Sequence, residues 1–244
     1  MKYFVIISML VILSCKKSED RSCFKANGGF ITKKLNLSNF EKVYMGPHLK
    51  YELVQDTVNK VVLIGGKNLL NFIETDVESG KLSVRNNNKC NFLRSYDKKV
   101  TAVIHFKKLI NIEFEGTEKV TCRNQLQSDY FTLAIRDGAG EFNLNLNAIS
   151  LNIDVSHGWG NFVASGNVNY LRVNAQSNGY GSTYQMNVSD SLHVISNSSE
   201  LLKVNASNCQ FRGQTHQNGD IWYIGTPTVL EFNKYGNGDL FNKN

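Results

Sequence analysis

Three carboxylates, Glu141, Asp220 and Asp239, each follow a glycine that recurs about every twenty residues in the second half of the chain. Carboxylates gathered along one edge are what polysaccharide hydrolysis or lyase chemistry requires, the first through an acid and base pair, the second with calcium and a basic partner. The equivalent intervening places hold Asn161, Ser182 and Glu200, so the acidic row is interrupted and a non-enzymatic protein is expected. Five histidines, at 48, 105, 157, 193 and 216, include no pair at metal-ligand spacing, and no metal or other cofactor is expected. His157, beside a corner glycine, reads as a solvated turn residue. No Gly-x-Ser-x-Gly elbow and no phosphate loop is present, which removes the commonest hydrolase and nucleotide readings. What the corners do offer is Trp159, Tyr180 and Trp222. An aromatic face packs well on the apolar side of a sugar ring, and packing of the turn itself is the equal alternative for these three.

The elements that must carry these residues are set by a repeat. Gly138-Ala139-Gly140, Gly158-Trp159-Gly160, Gly179-Tyr180-Gly181, Asn218-Gly219-Asp220 and Gly236-Asn237-Gly238 mark it, with Ser199 at a degenerate position. The anchors at 140, 160, 181, 199, 219 and 238 are separated by steps of 20, 21, 18, 20 and 19. A period in this range belongs to a solenoid, whose units bury their apolar faces only by stacking on neighbours. Each anchor precedes an alternating segment, such as Phe142, Leu144, Leu146 or Tyr184, Met186, Val188, and most units have a second, such as Leu151, Ile153, Val155. Alternation with period two is the strand signature. Two strands and two corners per twenty residues make one rung of a β-helix, with the glycines expected to supply positive backbone dihedrals at the corners. Residues 138–244 hold eighteen asparagines, which suit corners and can ladder outward from rung to rung.

The chain starts with Lys2 and an apolar run from Tyr3 to Leu13, ending in Ile12-Leu13-Ser14-Cys15. That run is too short to span a bilayer and reads as a signal-peptide core over 1–14. Cysteine after a small residue resembles the lipobox of bacterial lipoproteins, which implies lipidation of Cys15 and attachment to a membrane. The polar stretch Lys16-Lys17-Ser18-Glu19-Asp20 belongs to a tether over 15–28, and its Ser-Glu-Asp resembles acidic tags that carry some lipoproteins to the outer face of the outer membrane. One all-β body over 29–244 is expected to follow.

The piece Val61 to Leu70, continuing through Ile73, Val77, Gly80, Leu82 and Val84, carries a specific pattern. So does Gly219-Asp220-Ile221-Trp222-Tyr223-Ile224-Gly225-Thr226-Pro227 with its closing Gly236-Asn237-Gly238-Asp239-Leu240. Together they resemble the auto-transporter adhesin, head GIN domain family, common in Bacteroidetes, over roughly residues 30 to 244. The sequence departs from that pattern at Ser198-Ser199-Glu200, where corner glycines are missing, and at Gly181-Ser182. The resemblance implies a right-handed parallel β-helix-like solenoid, preceded here by a more irregular β segment, on a secreted or surface protein.

Residues 138–244 hold five basic and seven acidic side chains, whereas 1–137 hold twenty-two and fourteen. The basic half suits anionic polysaccharide or a membrane surface. Nucleic acid is not an expected partner, because Lys33-Lys34, Lys98-Lys99 and Lys107-Lys108 are short, solvated runs. Beyond Cys15 there are Cys23, Cys90, Cys122 and Cys209. With the first coil starting at Glu118, Cys122 and Cys209 stand four rungs, or about 19 Å, apart, too far for a bridge. Cys23 with Cys90 stays open beside the simpler reading of buried free thiols. The functional expectation is a lipid-anchored, non-catalytic surface protein that binds glycan or protein. The alternatives are an envelope-assembly lipoprotein docking a partner by strand addition at an exposed terminal rung, and a carbohydrate-active enzyme.

Overall fold

A computed structural model describes residues 27–88 and 99–244. The leader, Cys15, most of the tether, Cys23 and Cys90 lie outside the described residues. The alternation read from the sequence becomes β1 (Phe30–Asn36), β2 (Lys42–Met45), β3 (Lys50–Gln55), β4 (Lys60–Gly66), β5 (Ile73–Glu78), β6 (Lys81–Asn86), β7 (Thr101–Phe106), β8 (Asn111–Phe114) and β9 (Val120–Cys122). Beyond these come β10 (Leu126–Arg136), β11 (Glu141–Ser156), β12 (Asn161–Ser177), β13 (Tyr180–Ser198), β14 (Leu202–Asn205), β15 (Gln210–Thr215), β16 (Ile221–Ile224), β17 (Val229–Lys234) and β18 (Leu240–Asn242). One short helix, α1 (Lys67–Leu70), follows β4.

The strands form a parallel β-solenoid with about twenty residues per turn. Its first face runs β7, β3, β9, β11, β12, β13, β14, β16, β18. The second runs β6, β2, β8, β10, β11, β12, β13, β15, β17. The long strands β11, β12 and β13 turn a corner and serve both faces. Layer order departs from chain order at the start, where β2 and β3 lie between the later pair β6, β7 and the pair β8, β9. The segment before the first glycine corner, expected to be irregular, thus supplies three layers of the same stack. That end is closed by antiparallel strands: β4 on β7, β1 on β4, and β5 on β6.

Inside, like residues meet in columns. Val120, Phe142, Phe162, Gly181, Leu202, Ile221 and Leu240 follow one another on the first face. Phe114 meets Phe142 edge to face at 5.7 Å, a geometry that favours aromatic pairs. Tyr184 departs from the expected inward set. A bulge between Val163 and Ser165 and their partners adds a residue to β13, so Thr183 is buried while Tyr184 is half-exposed.

The corner glycines have a different cause from the one expected. Among them Gly158 has positive φ, whereas left-handed backbone at corners is mostly carried by Asp137, His157, Ser177 and Asn208. The glycines are required by close stacking instead. A Cβ on Gly138 would stand 2.4 Å from the carbonyl oxygen of Gly116, and one on Gly238 would stand 2.2 Å from that of Gly219. At the degenerate corner Ser198 is buried, its hydroxyl donating to the Ser177 carbonyl at 3.2 Å and accepting from the Glu200 amide at 3.0 Å, so the rung closes without glycine.

Cys122 ends β9 and Cys209 precedes β15, four layers on, and both thiols are free. Burial pushes each up to about 11. At pH 7 about one in ten thousand of either is thiolate, the reactive form. Alkylation mapped by peptide mass spectrometry is therefore expected to be slow at Cys122 and Cys209 in the folded protein and fast in urea. Rapid native labelling, or a Cys122–Cys209 bridge in unreduced peptides, would contradict the layer assignment.

Candidate functional site

On the first face two outward rows run parallel to the stack axis. One comprises Glu141, Asn161, Tyr180, Leu201, Asp220 and Asp239, and the other Asn143, Val163, Ser182, Lys203, Trp222 and Phe241, by strand register. A shallow depression of about 250 Å³ lies across them, lined among others by Glu141, Asn161, Tyr180, Glu200 and Lys203. Glu141 accepts from Lys119 at 2.7 Å and from Asn161 at 3.4 Å, and the Lys119 hydrogen bond chiefly holds its carboxyl below the ordinary range.

The three carboxylates of the repeat are not brought together. Glu141 and Asp220 are four layers, about 19 Å, apart, and Glu200 is three layers, about 14 Å, from Glu141. Paired-carboxylate glycoside chemistry uses about 5 to 9.5 Å. Asp220 and Asp239 are neighbours, yet Asp220 accepts from the Asp239 backbone amide at 2.8 Å and Asp239 pairs with Lys234. Both therefore brace the terminal layers. Among the described residues no group of three or more His, Cys, Asp or Glu could hold a metal ion. The histidines stay dispersed: His105 sits 2.9 Å from Asp56, His216 stacks on Tyr235 at 4.8 Å, and His48 and His157 occupy left-handed turns. His193 lies between Arg172 and Arg212, and burial first, then these two cations, lower its pKa.

Trp159 stands exposed at the glycine corner, its amide donating to the Gly138 carbonyl at 3.0 Å. Tyr180 opens β13 one layer further on, also exposed. Trp222 shares the face with Tyr180 two layers away, but its ring is covered by the Lys243 ammonium at 4.2 Å and approached by Lys203 at 5.9 Å. Cations over an indole face are attracted by its quadrupole. Its Nε1 is buried without a partner.

A larger concavity than the first-face depression lies at the other corner, where β11, β12 and β13 bend between faces. It is an open groove of about 770 Å³ across five layers, from Gln127 to Asn208. Its spine is an amide ladder. Asn147 Nδ2 donates to Gln125 Oε1 at 2.9 Å, Asn167 Nδ2 to Asn147 Oδ1 at 2.9 Å, and Asn187 Nδ2 to Asn167 Oδ1 at 3.0 Å. Outward laddering of asparagine was legible from the twenty-residue spacing of these three; the hollow beside them was not. The second bulge of β13, opposite Asn169, places Ser189 on the groove wall, its hydroxyl donating to Asn169 Oδ1 at 3.1 Å.

Several solved bacterial proteins are similar to this chain in fold. A crystal structure of a putative adhesin from Bacteroides fragilis NCTC 9343 is similar at TM-score 0.76 and 20% identity, covering 88% of this chain and 97% of that one. Putative adhesins from Parabacteroides distasonis ATCC 8503 and Parabacteroides merdae ATCC 43184 are similar at TM-scores 0.62 and 0.61, each 16% identical, over 88% and 90% of this chain and 98% of theirs. No curated protein matches the chain significantly. Residues 39–227 match the family described as "Putative auto-transporter adhesin, head GIN domain", and the chain belongs to that family.

Proposed function

We propose that this protein is a non-catalytic adhesin, exported and held to the outer membrane by lipid on Cys15, that presents its solenoid to a glycan or a surface protein. The observation that carries the reading is the polarity of the stack. Asn27, where the tether joins the body, lies at the closed end, its carbonyl accepting from the Asn68 amide at 3.1 Å beside α1. From β1 to β18 the first face counts eleven strands, so the far end stands about 48 Å from the tethered one. A lipid on Cys15 would leave the glycine corner and both outer faces projecting from the membrane. Trp159 and Tyr180 supply the aromatic contact surface, and Trp222 contributes through the lysines that cover its ring. The family's adhesin description supports the same reading.

Two measurements test this. Acyl-chain metabolic labelling of cells producing the full chain is expected to mark the wild type and not Cys15→Ala. Binding of the purified chain to a glycan array or to host-cell surfaces is expected to fall about tenfold or more in a Trp159→Ala, Tyr180→Ala double variant. Absence of acylation would remove the anchor, and absence of any ligand would remove adhesion. A second reading, docking of an envelope protein by strand addition, is favoured by the open end, where β17 and β18 expose Val229, Leu230 and Phe241.

A further inference from the structure

We infer that the amide groove at the corner of β11, β12 and β13 is a binding site for an uncharged, extended glycan chain lying along the solenoid axis. The inference rests on the adhesin reading and places its ligand on residues other than the exposed aromatics of the first face.

The chemistry of the lining selects the ligand. Every polar side chain in it is an amide or a hydroxyl, from Asn147, Asn167, Asn187, Ser128, Ser189 and their neighbours, and none is charged. A charged polymer seated here would lose hydration without gaining a counter-charge. The strands that floor the groove are paired layer to layer on either side of the corner, so the groove presents their side chains and not a strand edge that a peptide could extend. Sugar hydroxyls are each donor and acceptor and match amides and hydroxyls that are both as well. The ladder uses one Nδ2 hydrogen of each of Asn147, Asn167 and Asn187, leaving each a second N–H without a protein partner. Ala148 and Ile149 lie between the polar groups and offer apolar contact to ring carbons.

Geometry favours a chain over a single sugar. The amides recur once per layer, about 4.8 Å apart, and five layers line the groove over about 19 Å. Because each amide is fixed by the one below it, the row is ordered before any ligand arrives, which removes part of the entropic cost of binding. The walls are also built locally. Rung 120–131 carries extra residues around Gln125, and β13 carries its bulge at Ser189, while β11 and β12 between them do not.

The test is calorimetric titration of the purified full chain with uncharged hexasaccharides of glucose, mannose and N-acetylglucosamine, and with a heparin hexasaccharide for comparison. At least one uncharged probe is expected to bind. Ser189→Trp, which fills the groove from an exposed position, is expected to weaken that binding at least tenfold with the unfolding temperature unchanged, and Asn167→Asp to weaken it through the ladder. Binding of the heparin probe alone, of no probe, or with equal strength to Ser189→Trp would overturn the inference. Array binding that survives Ser189→Trp but is lost in the Trp159→Ala, Tyr180→Ala variant would overturn it while leaving the adhesin reading in place.

Discussion

Phe142→Ala is expected to lower the free energy of unfolding by about 3–5 kcal/mol, the range for a fully buried phenylalanine cut to alanine. The ring is inaccessible to solvent, meets Phe114 edge to face, and fills the column between Val120 and Phe162. In a solenoid each layer is stabilised chiefly by its neighbours, so the cavity weakens two interfaces at once. Urea unfolding followed by the fluorescence of Trp159 and Trp222 should show a reduced midpoint. If the gap uncouples the layers on either side, the slope should fall too, because less surface is then exposed in one step. Phe241→Ala, at the half-exposed terminal layer, is the comparison and is expected to cost about 1 kcal/mol or less. Equal losses at the two positions would contradict a shared, continuous core.

Gly166→Ala should destabilise by about 3 kcal/mol or more, a large effect for adding one methyl group. Gly166 sits in β12 with φ +119, and a Cβ there would stand 2.0 Å from the carbonyl oxygen of Leu146 in the layer below. Both faults are in the backbone, so no side-chain movement relieves them. Gly80 isolates the dihedral part. Its φ is +75 in the β5–β6 hairpin with open space where a Cβ would go, so Gly80→Asn is expected to cost only a few tenths of a kcal/mol. Thermal unfolding of the two variants should separate widely. Similar losses would mean that close approach between layers does not govern the glycine requirement.

The contrast between these glycines shows where local reading stopped. Glycine at 138, 140, 219 and 238 was visible as punctuation, and the rung period followed from it correctly. The reason for it was not visible, because the obstacle is a carbonyl of the previous layer, about twenty residues away. Gly166 falls outside the corner pattern and carried no signal at all. Tyr184 was misplaced for a related cause, since alternation continues through a bulge in sequence but slips by one residue in space. Of the site, Trp159 and Tyr180 were legible as corner aromatics, whereas the lysine covering Trp222 comes from the next layer.

Residue pattern alone determined the repeat, the inward columns such as Phe142 with Phe162, the outward asparagines, and the separation of Cys122 from Cys209. Each depends on a period of two or of about twenty, and such periods are written along the chain. Tertiary structure decided the layer order around β2 and β3, the antiparallel closure by β1, β4 and β5, and the groove beside the amide ladder. These depend on which strand lies beside which, and unlike strands compete for the same neighbour through core packing and loop closure. That competition is settled by the whole stack and leaves no periodic mark in the sequence.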